Sequence, residues 1–198
     1  MTSGRREKDP APSVPGGLVV LSGPSGVGKT SICKRLAEDE RVVLSVSATT
    51  RPPRPGEVHG REYFFLTREE FEEKIRRGEF VEYNEVFGNG VLYGSLREEL
   101  EKGLALPGRY YLMEIDVKGA RNVKEAGYEG RYIFIAPPSL DELLRRLAGR
   151  GTDDPASIEE RLKKARWEME QRKYYDRVVV NDDLDRAVEE VRRYLGLA

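Results

Sequence analysis

Short apolar runs alternate with amphipathic stretches along most of the chain. The runs typical of strands are 18–21, 42–47, 63–66, 80–87, 110–113, 132–135 and 178–180. The stretches with helical spacing or helix-capping residues are 31–38, 67–77, 95–102, 117–126, 139–147, a charged stretch that follows Pro155 and continues through Lys173, and 183–195. Strands that alternate with helices predict an α/β fold, in which a central parallel sheet is flanked by helices on both faces.

A glycine-rich loop follows the first apolar run. Gly23-Pro24-Ser25-Gly26-Val27-Gly28-Lys29-Thr30 matches the pattern G-x-x-x-x-G-K-[ST] between a predicted strand and a predicted helix. Glycines permit positive φ angles, so backbone N–H groups at the helix N-terminus can face phosphate oxygens. Lys29 is then expected to reach the β- and γ-phosphates, and Thr30 to offer its hydroxyl to Mg²⁺. The loop predicts a nucleoside triphosphate site, with ATP as the expected ligand; a plain strand-to-helix turn is the alternative.

Two carboxylates follow the apolar run 110–113. Glu114 and Asp116 lie at or near the C-terminal end of a predicted buried strand, the edge at which open α/β sheets bind ligands. Carboxylates beside an apolar strand need local compensation, which a hydrated Mg²⁺ near Thr30 would supply. Helix capping or ion pairing of one of the two is the alternative interpretation.

Composition limits the classes of protein to which the chain can belong. Its 198 residues suit one compact domain, and 34 Lys and Arg against 35 Asp and Glu give no overall signature of nucleic-acid or anionic-membrane binding. The single cysteine, Cys33, excludes an internal disulfide and fits a reducing compartment. No stretch resembles a signal peptide or a membrane span, so a cytoplasmic location is expected. The proline-containing, charged residues 1–16 are expected to form a disordered leader.

A proline-rich segment in the first half of the chain resembles a known family. Ser47-Ala48-Thr49-Thr50-Arg51-Pro52-Pro53-Arg54-Pro55-Gly56-Glu57, followed by Gly60-Arg61-Glu62-Tyr63, is similar to the nucleoside-monophosphate segment of guanylate kinases. The same resemblance extends to Glu82, Tyr93-Gly94-Ser95, Glu114-Ile115-Asp116 with Gly119, Gly149-Arg150-Gly151-Thr152, and Val180-Asn181-Asp182-Asp183. The combined order and spacing of these pieces, from about Gly17 to Tyr194, make the resemblance specific.

The resemblance implies a kinase of purine nucleotide metabolism, which converts ATP and GMP to ADP and GDP with Mg²⁺. It implies a P-loop core at 17–46 and 104–198, a region that binds the nucleoside monophosphate at 47–103, and a lid at about 149–160, within a domain of 17–198. The two glycines, charges and proline between Gly149 and Pro155 are themselves typical of a mobile lid. ATP and GMP are the expected partners, with no nucleic acid and no membrane, and the sequence predicts no particular protein partner.

Residue roles follow from the resemblance position by position. Ser47 and Glu82 would contact guanine. A carboxylate can accept hydrogen bonds from both the N1–H and the 2-amino group of guanine, whereas adenine offers no such pair of donors there. Arg51, Arg54, Tyr63 and Tyr93 would bind the GMP phosphate, with Ser95 and Asp116 also in the GMP site. Arg146, Arg150 and Arg161 would act with Lys29 on the transferred phosphoryl group, and Asn181 would border the adenine pocket. His59 is expected to be exposed and without a catalytic role.

Two other functions remain open at this point. Some proteins similar to guanylate kinases phosphorylate a ribose bisphosphate, and guanylate-kinase-like modules of scaffold proteins bind phosphopeptides without catalysis. The presence of Ser47 and Glu82 favours guanine as the acceptor's base, and the intact Lys29-Thr30 pair favours catalysis. One departure from the family is a turn before Tyr93 that includes Gly90-Val91-Leu92 and is longer than usual.

Overall fold

Two β-sheets with helices packed around them make up the fold, and the computed structural model describes residues 16–85, 90–148 and 155–197. The strands are β1 (Gly17–Ser22), β2 (Val42–Leu44), β3 (Ser47–Thr49), β4 (Tyr63–Phe65), β5 (Phe80–Glu85), β6 (Leu92–Leu96), β7 (Tyr110–Glu114), β8 (Arg131–Ala136) and β9 (Arg177–Val180). The helices are α1 (Lys29–Leu36), α2 (Arg68–Arg76), α3 (Arg97–Leu104), α4 (Val117–Glu125), α5 (Leu140–Ala148), α6 (Pro155–Gln171) and α7 (Leu184–Leu195). A short 3-10 helix, Arg172–Tyr174, follows α6.

The first sheet is parallel and has the strand order β2-β7-β1-β8-β9. Its central strand, β1, is buried on both faces, because Val19 and Leu21 pack in one apolar cluster while Leu18 and Val20 pack in another. The first cluster includes residues of α1 and α7, and the second includes residues of α3 and α4. The predicted α/β architecture is confirmed.

The second sheet is smaller and mixed, with the strand order β4-β3-β6-β5. Only the β3–β4 pair is parallel, while β3–β6 and β5–β6 are antiparallel. Helix α2 covers it with Phe71, whose ring stacks on that of Phe80 at 4.3 Å between centroids. All four strands of this sheet fall within the range 47–103 that the resemblance assigns to monophosphate binding, although the division into subdomains stays a prediction.

The single strand predicted at 42–47 is wrong, because two strands in different sheets occupy the region. Strand β2 ends at Leu44 in the parallel sheet, and β3 begins at Ser47 in the mixed sheet. Ala48 and Thr49, which their neighbouring prolines had placed in an irregular segment, are fully buried in β3. A periodic apolar pattern reports which side chains are buried but not which sheet buries them.

The helix predicted at 95–102 begins two residues later, because strand β6 continues to Leu96. Ser95 stays in the strand, opposite Glu82 of β5. Gly103, expected to follow the helix, lies inside α3, where it packs against the ring of Tyr111. A Cβ atom at Gly103 would lie 2.1 Å from that ring, so glycine is required by packing rather than by a turn.

Several local predictions agree with the structure and others fall outside its described part. Thr67 forms the predicted capping box of α2, since its hydroxyl accepts from the Glu70 N–H and the Glu70 carboxylate accepts from the Thr67 N–H. The leader up to residue 15, the turn residues Gly88 and Asn89, and residues 149–154 of the lid lie outside the described residues, while 155–160 belong to α6. No helix within the described ranges combines the length and apolarity needed to cross a membrane.

Candidate functional site

A cavity of about 350 Å³ lies between the carboxyl ends of the parallel strands and the mixed sheet. The glycine-rich loop with α1 contributes one wall, and the mixed sheet with the segment after β3 contributes the facing wall. The lining residues are Gly23, Ser25, Lys29, Thr30, Ser47, Arg51, Arg54, Tyr63, Glu82, Asn84, Tyr93, Gly94, Glu114, Ile115, Asp116, Lys164 and Glu168. The fold therefore brings residues from both halves of the chain to one site.

The glycine-rich loop turns sharply between β1 and α1. Gly23 has a φ of 146°, and a Cβ atom there would lie 2.2 Å from the carbonyl oxygen of Ile135 on β8. Gly28, the N-cap of α1, has a φ of 95°. These two positions demand glycine, and the loop that they allow ends at a helix N-terminus, where anions are favoured.

Asn181 holds this loop from the end of strand β9, which lies beyond β8 in the parallel sheet. Its side-chain amide is buried and donates a hydrogen bond of 2.7 Å to the carbonyl oxygen of Val27. A Cβ atom at Gly28 would lie 2.5 Å from the same amide nitrogen. The Asn181 side chain thus packs against the backbone of the glycine-rich loop, a contact that its expected place beside adenine did not include.

Lys29 is folded back onto its own loop. Its ammonium donates to the carbonyl oxygens of Gly23 at 2.7 Å and Pro24 at 3.0 Å. Burial lowers the pKa of Lys29 below its ordinary value, while the nearby carboxylates of Glu114, Glu168 and Asp116 act in the opposite direction. The ammonium is therefore held in the loop by neutral acceptors with negative charge close by.

Thr30, Glu114 and Asp116 line the cavity near the carboxyl end of β7. The Thr30 hydroxyl donates to Glu114 Oε1 at 2.7 Å, and Asp116 caps α4 by accepting from the Gly119 N–H at 2.7 Å. Among the described residues no group of three or more His, Cys, Asp or Glu forms a metal cluster. Mg²⁺ prefers oxygen ligands and usually keeps several waters beside one or two carboxylates and substrate phosphates, so this sparse donor set fits it.

Glu82 is a buried carboxylate on the facing wall. It is only 7% exposed, and the Ser95 hydroxyl on the adjacent strand donates to its Oε1 at 2.6 Å. Burial raises the pKa of Glu82 to about 7, against the effect of the Ser95 hydrogen bond. Helix α4 approaches the carboxylate at Gly119, where a Cβ atom would lie 2.8 Å from Glu82 Oε2. The register of β5 against β6 and the close approach of Gly119 therefore place the ionisable carboxylate of Glu82 inside the cavity.

Arg51 is held by a two-point contact with Glu57, a residue to which the sequence assigned no role. Its guanidinium donates to the two Glu57 oxygens at 2.6 and 2.7 Å and lies over the Tyr63 ring, 5.1 Å from the centroid. The hydrogen bonds to Glu57 raise the pKa of Arg51, and the same bonds lower the pKa of Glu57 to about 2. Tyr93 packs edge-on against Tyr63. The guanidinium is thus oriented before any ligand binds.

The remaining predicted site residues are distributed between the cavity and its surroundings. Arg54 and Ser47 line the cavity, whereas Arg146 does not contribute to its described lining. Arg146 pairs with Glu142 at 3.0 Å and donates to the Asn181 carbonyl oxygen at 3.1 Å. Arg150 and the side chain of Arg161 lie outside the described residues. His59 is exposed, as expected.

Three lining residues with polar or charged side chains, Asn84, Lys164 and Glu168, were missed by sequence reasoning. Asn84 follows Glu82 by two residues on β5, so the period of a strand could have identified it as sharing the same face. Lys164 and Glu168 lie on α6, whose many charges gave no signal. Glu168 is only 3% exposed, and burial raises its pKa to about 7, while Lys164, 3.9 Å away, and Lys29 act in the opposite direction.

Comparisons with known proteins agree on one family. The family model described as guanylate kinase matches residues 16–197. The guanylate kinase of Corynebacterium jeikeium is 47% identical over 181 residues, which is 91% of this chain and 96% of that protein. That of Clostridioides difficile is 46% identical over 177 residues, 88% of this chain and 84% of that protein. The crystal structure of guanylate kinase from Anaplasma phagocytophilum superposes with a TM-score of 0.72 at 37% identity, covering 93% of this chain and 86% of the other.

Proposed function

The chain belongs to the guanylate kinase family and transfers the γ-phosphoryl group of ATP to GMP, and we propose how its own residues perform that transfer. One observation carries the proposal: a single cavity is lined on one side by the phosphate loop and on the other by Arg51 and the buried Glu82. Two half-sites that share a cavity suit a direct transfer between two bound nucleotides. Direct transfer requires no covalent nucleophile among the described residues that line the cavity. We therefore expect catalysis to come from the positioning of the two nucleotides.

The loop from Gly23 to Thr30 binds the triphosphate in this proposal. Its backbone N–H groups face the phosphates, and Lys29 exchanges its two carbonyl acceptors for phosphate oxygens, which are charged and therefore stronger acceptors. Asn181 holds the loop backbone in the required shape through Val27. We therefore propose that Asn181, which is expected to border the adenine pocket, contributes by supporting the loop next to the nucleotide.

Thr30 is the residue proposed to hold Mg²⁺, with Glu114 and Asp116 near the ion through water. Bound Mg²⁺ would neutralise charge on the β- and γ-phosphates. The Glu114 carboxylate orients the Thr30 hydroxyl by accepting a hydrogen bond from it, and Asp116 is oriented by its cap on α4. These contacts fix the side-chain oxygen atoms in place, and Mg²⁺ would take its remaining ligands from water and phosphate.

The facing wall is proposed to bind GMP. Glu82 accepts hydrogen bonds from the guanine N1–H and 2-amino groups, with Ser47, Ser95 and Asp116 close to the base. The phosphate is bound by Arg51, Arg54, Tyr63 and Tyr93, of which Arg51 is oriented in advance by Glu57. A guanidinium already held in its fork geometry loses little side-chain freedom when it binds phosphate.

In-line transfer then requires only that the GMP phosphate oxygen face the γ-phosphorus while water is excluded. We propose that Arg146, Arg150 and Arg161 neutralise charge on the transferred phosphoryl group as the lid at about 149–160 closes. We also propose that the reaction takes place in the cytoplasm. A ribose bisphosphate acceptor and a non-catalytic phosphopeptide module are not favoured, because the comparisons match guanylate kinases over most of the chain.

The test is turnover of ATP with GMP, AMP and ribose phosphates as acceptors, measured for the parental protein and Lys29→Ala. We expect GMP to be the preferred acceptor, and Lys29→Ala to lower kcat by roughly 10² to 10³, the usual cost of removing one donor that stabilises developing charge. Lys34→Ala, an exposed lysine of the same helix, is the matched control. Parental activity in Lys29→Ala, or preference for a ribose phosphate, would overturn the proposed mechanism.

A further inference from the structure

Asn84 presents an unused hydrogen-bond donor in the substrate cavity. Its side chain lines the cavity, and its amide nitrogen is buried with no hydrogen-bond partner among the described residues. Leaving a buried donor unsatisfied costs about 1–3 kcal/mol, so such groups are uncommon in folded proteins. An unsatisfied donor within a binding site indicates that a ligand supplies its acceptor.

The position of Asn84 limits which part of the ligand it can contact. It lies two residues after Glu82 on β5, on the same face of the strand and about 7 Å further along it. Across the ladder Glu82 is opposite Ser95, and Asn84 is opposite Tyr93. Asn84 therefore lies beside Glu82, whose carboxylate is proposed to contact the base. It lies on the side of Glu82 that is nearer to Tyr93, a residue proposed to bind the phosphate.

The hydrogen-bonding pattern of guanine has one position that Glu82 cannot satisfy. Along one edge the base presents the O6 acceptor, the N1–H donor and the 2-amino donor, and a carboxylate pairs only with the two donors. Ser95 already donates a hydrogen bond to Glu82. The hydroxyl of Ser47, which also lines the cavity, can use only one of the two lone pairs of a carbonyl oxygen such as O6. The amide nitrogen of Asn84 is a donor that is still available next to that carboxylate.

We propose that Asn84 Nδ2 donates a hydrogen bond to O6 of the guanine in GMP, an inference that rests on the proposed GMP site. Asn84 is then a further specificity-determining residue beside Glu82 and Ser47. Adenine carries an amino group in place of O6, so its donor would face the Asn84 donor and leave both groups unpaired. Together with Ser47, Glu82 and Asn84 complement all three positions of the guanine edge.

Asn84→Ala and two acceptor nucleotides test this contact. We expect Asn84→Ala to lower kcat/KM for GMP about three- to tenfold, mainly through KM, as for loss of one neutral hydrogen bond. The loss should be smaller with 6-thio-GMP, which keeps N1–H and the 2-amino group but replaces O6 by sulfur, a weaker acceptor. The ratio of AMP to GMP turnover should rise.

A stability measurement separates this role from a structural one. Because the donor has no hydrogen-bond partner among the residues that the structure describes, Asn84→Ala should leave Tm unchanged or raise it while it weakens GMP use. Tyr83→Phe is the control, because Tyr83 is the adjacent residue on the opposite strand face and is 44% exposed.

Three outcomes would overturn the contact: an unchanged kcat/KM for GMP, an equal loss with GMP and 6-thio-GMP, or a fall in Tm that accounts for the kinetic loss. An equal loss would show that the amide contacts the ribose or phosphate instead. Glu82→Gln, measured in parallel, keeps failure of this inference distinct from failure of the GMP site. If Glu82→Gln still impairs GMP use while Asn84→Ala does not, only the Asn84 contact is wrong.

Discussion

Replacing Glu82 by glutamine is expected to stabilise the folded protein at neutral pH and to impair its use of GMP. The carboxylate is 7% exposed, and burial raises its pKa from 4.5 to about 7. Between these two values the folded protein keeps a proton that the unfolded chain has released, so this residue makes the free energy of unfolding fall as pH rises. Above pH 7 the carboxylate is ionised in both states and its full desolvation cost remains.

The size of the effect follows from the two pKa values. A pKa of about 7 in place of 4.5 corresponds to about 3 kcal/mol, at roughly 1.4 kcal/mol for each pH unit. Glutamine has nearly the same shape, keeps an oxygen that can accept from Ser95, and does not titrate. The variant should therefore match the parental stability near pH 4 and exceed it by about 3 kcal/mol at pH 8.

Urea denaturation between pH 4 and pH 8 measures this difference, and steady-state kinetics at pH 8 measures the functional cost. Glutamine presents a donor where the guanine amino group also donates, so kcat/KM for GMP should fall by about 10² or more. Glu125→Gln, at an exposed glutamate of α4, controls for the loss of one negative charge. A stability difference that does not grow with pH would refute the reasoning, because it would mean that the carboxylate carries no desolvation cost.

Two further predictions concern residues whose roles appear only in the folded structure. Glu57→Gln should raise KM for GMP roughly tenfold with little change in kcat, because Arg51 loses a charged partner that accepts two hydrogen bonds from it. Steady-state kinetics measures this effect, with Glu38→Gln as the control. An unchanged KM would contradict the prediction. Gly103→Ala should lower the free energy of unfolding by about 1–3 kcal/mol, because the added Cβ would overlap the Tyr111 ring. Thermal denaturation measures this effect. Helix propensity alone predicts a higher Tm for the variant, and that result would contradict the prediction.

Much of the fold could be predicted because its signals are local. The glycine pattern before Lys29 and the capping box at Thr67 each depend on residues within one loop or turn, and both lie where the sequence indicated. The buried runs of β1, β7 and β8 are apolar on both faces, as in a parallel sheet. Local geometry and burial act on neighbouring residues, so a single sequence is enough to reveal them.

The errors arose where a distant segment decides the structure. Strand β6 exists because residues 92–96 pair with both β3 and β5, although the sequence alone favoured a helix from Ser95. Gly103 stays helical because Tyr111, on another strand, leaves no room for a side chain. In each case a tertiary contact overrides the local preference.

By itself the sequence determined the α/β class, the phosphate loop and the family resemblance that points to GMP. Only the tertiary structure decided that Glu57 orients Arg51, that Asn181 supports Val27, and that Glu168 lies buried beside Lys29. These contacts join residues up to 154 positions apart, and neither their distances nor their desolvation can be inferred from spacing along the chain. Charge and hydrogen bonding in the site depend on burial, which is a property of the assembled fold.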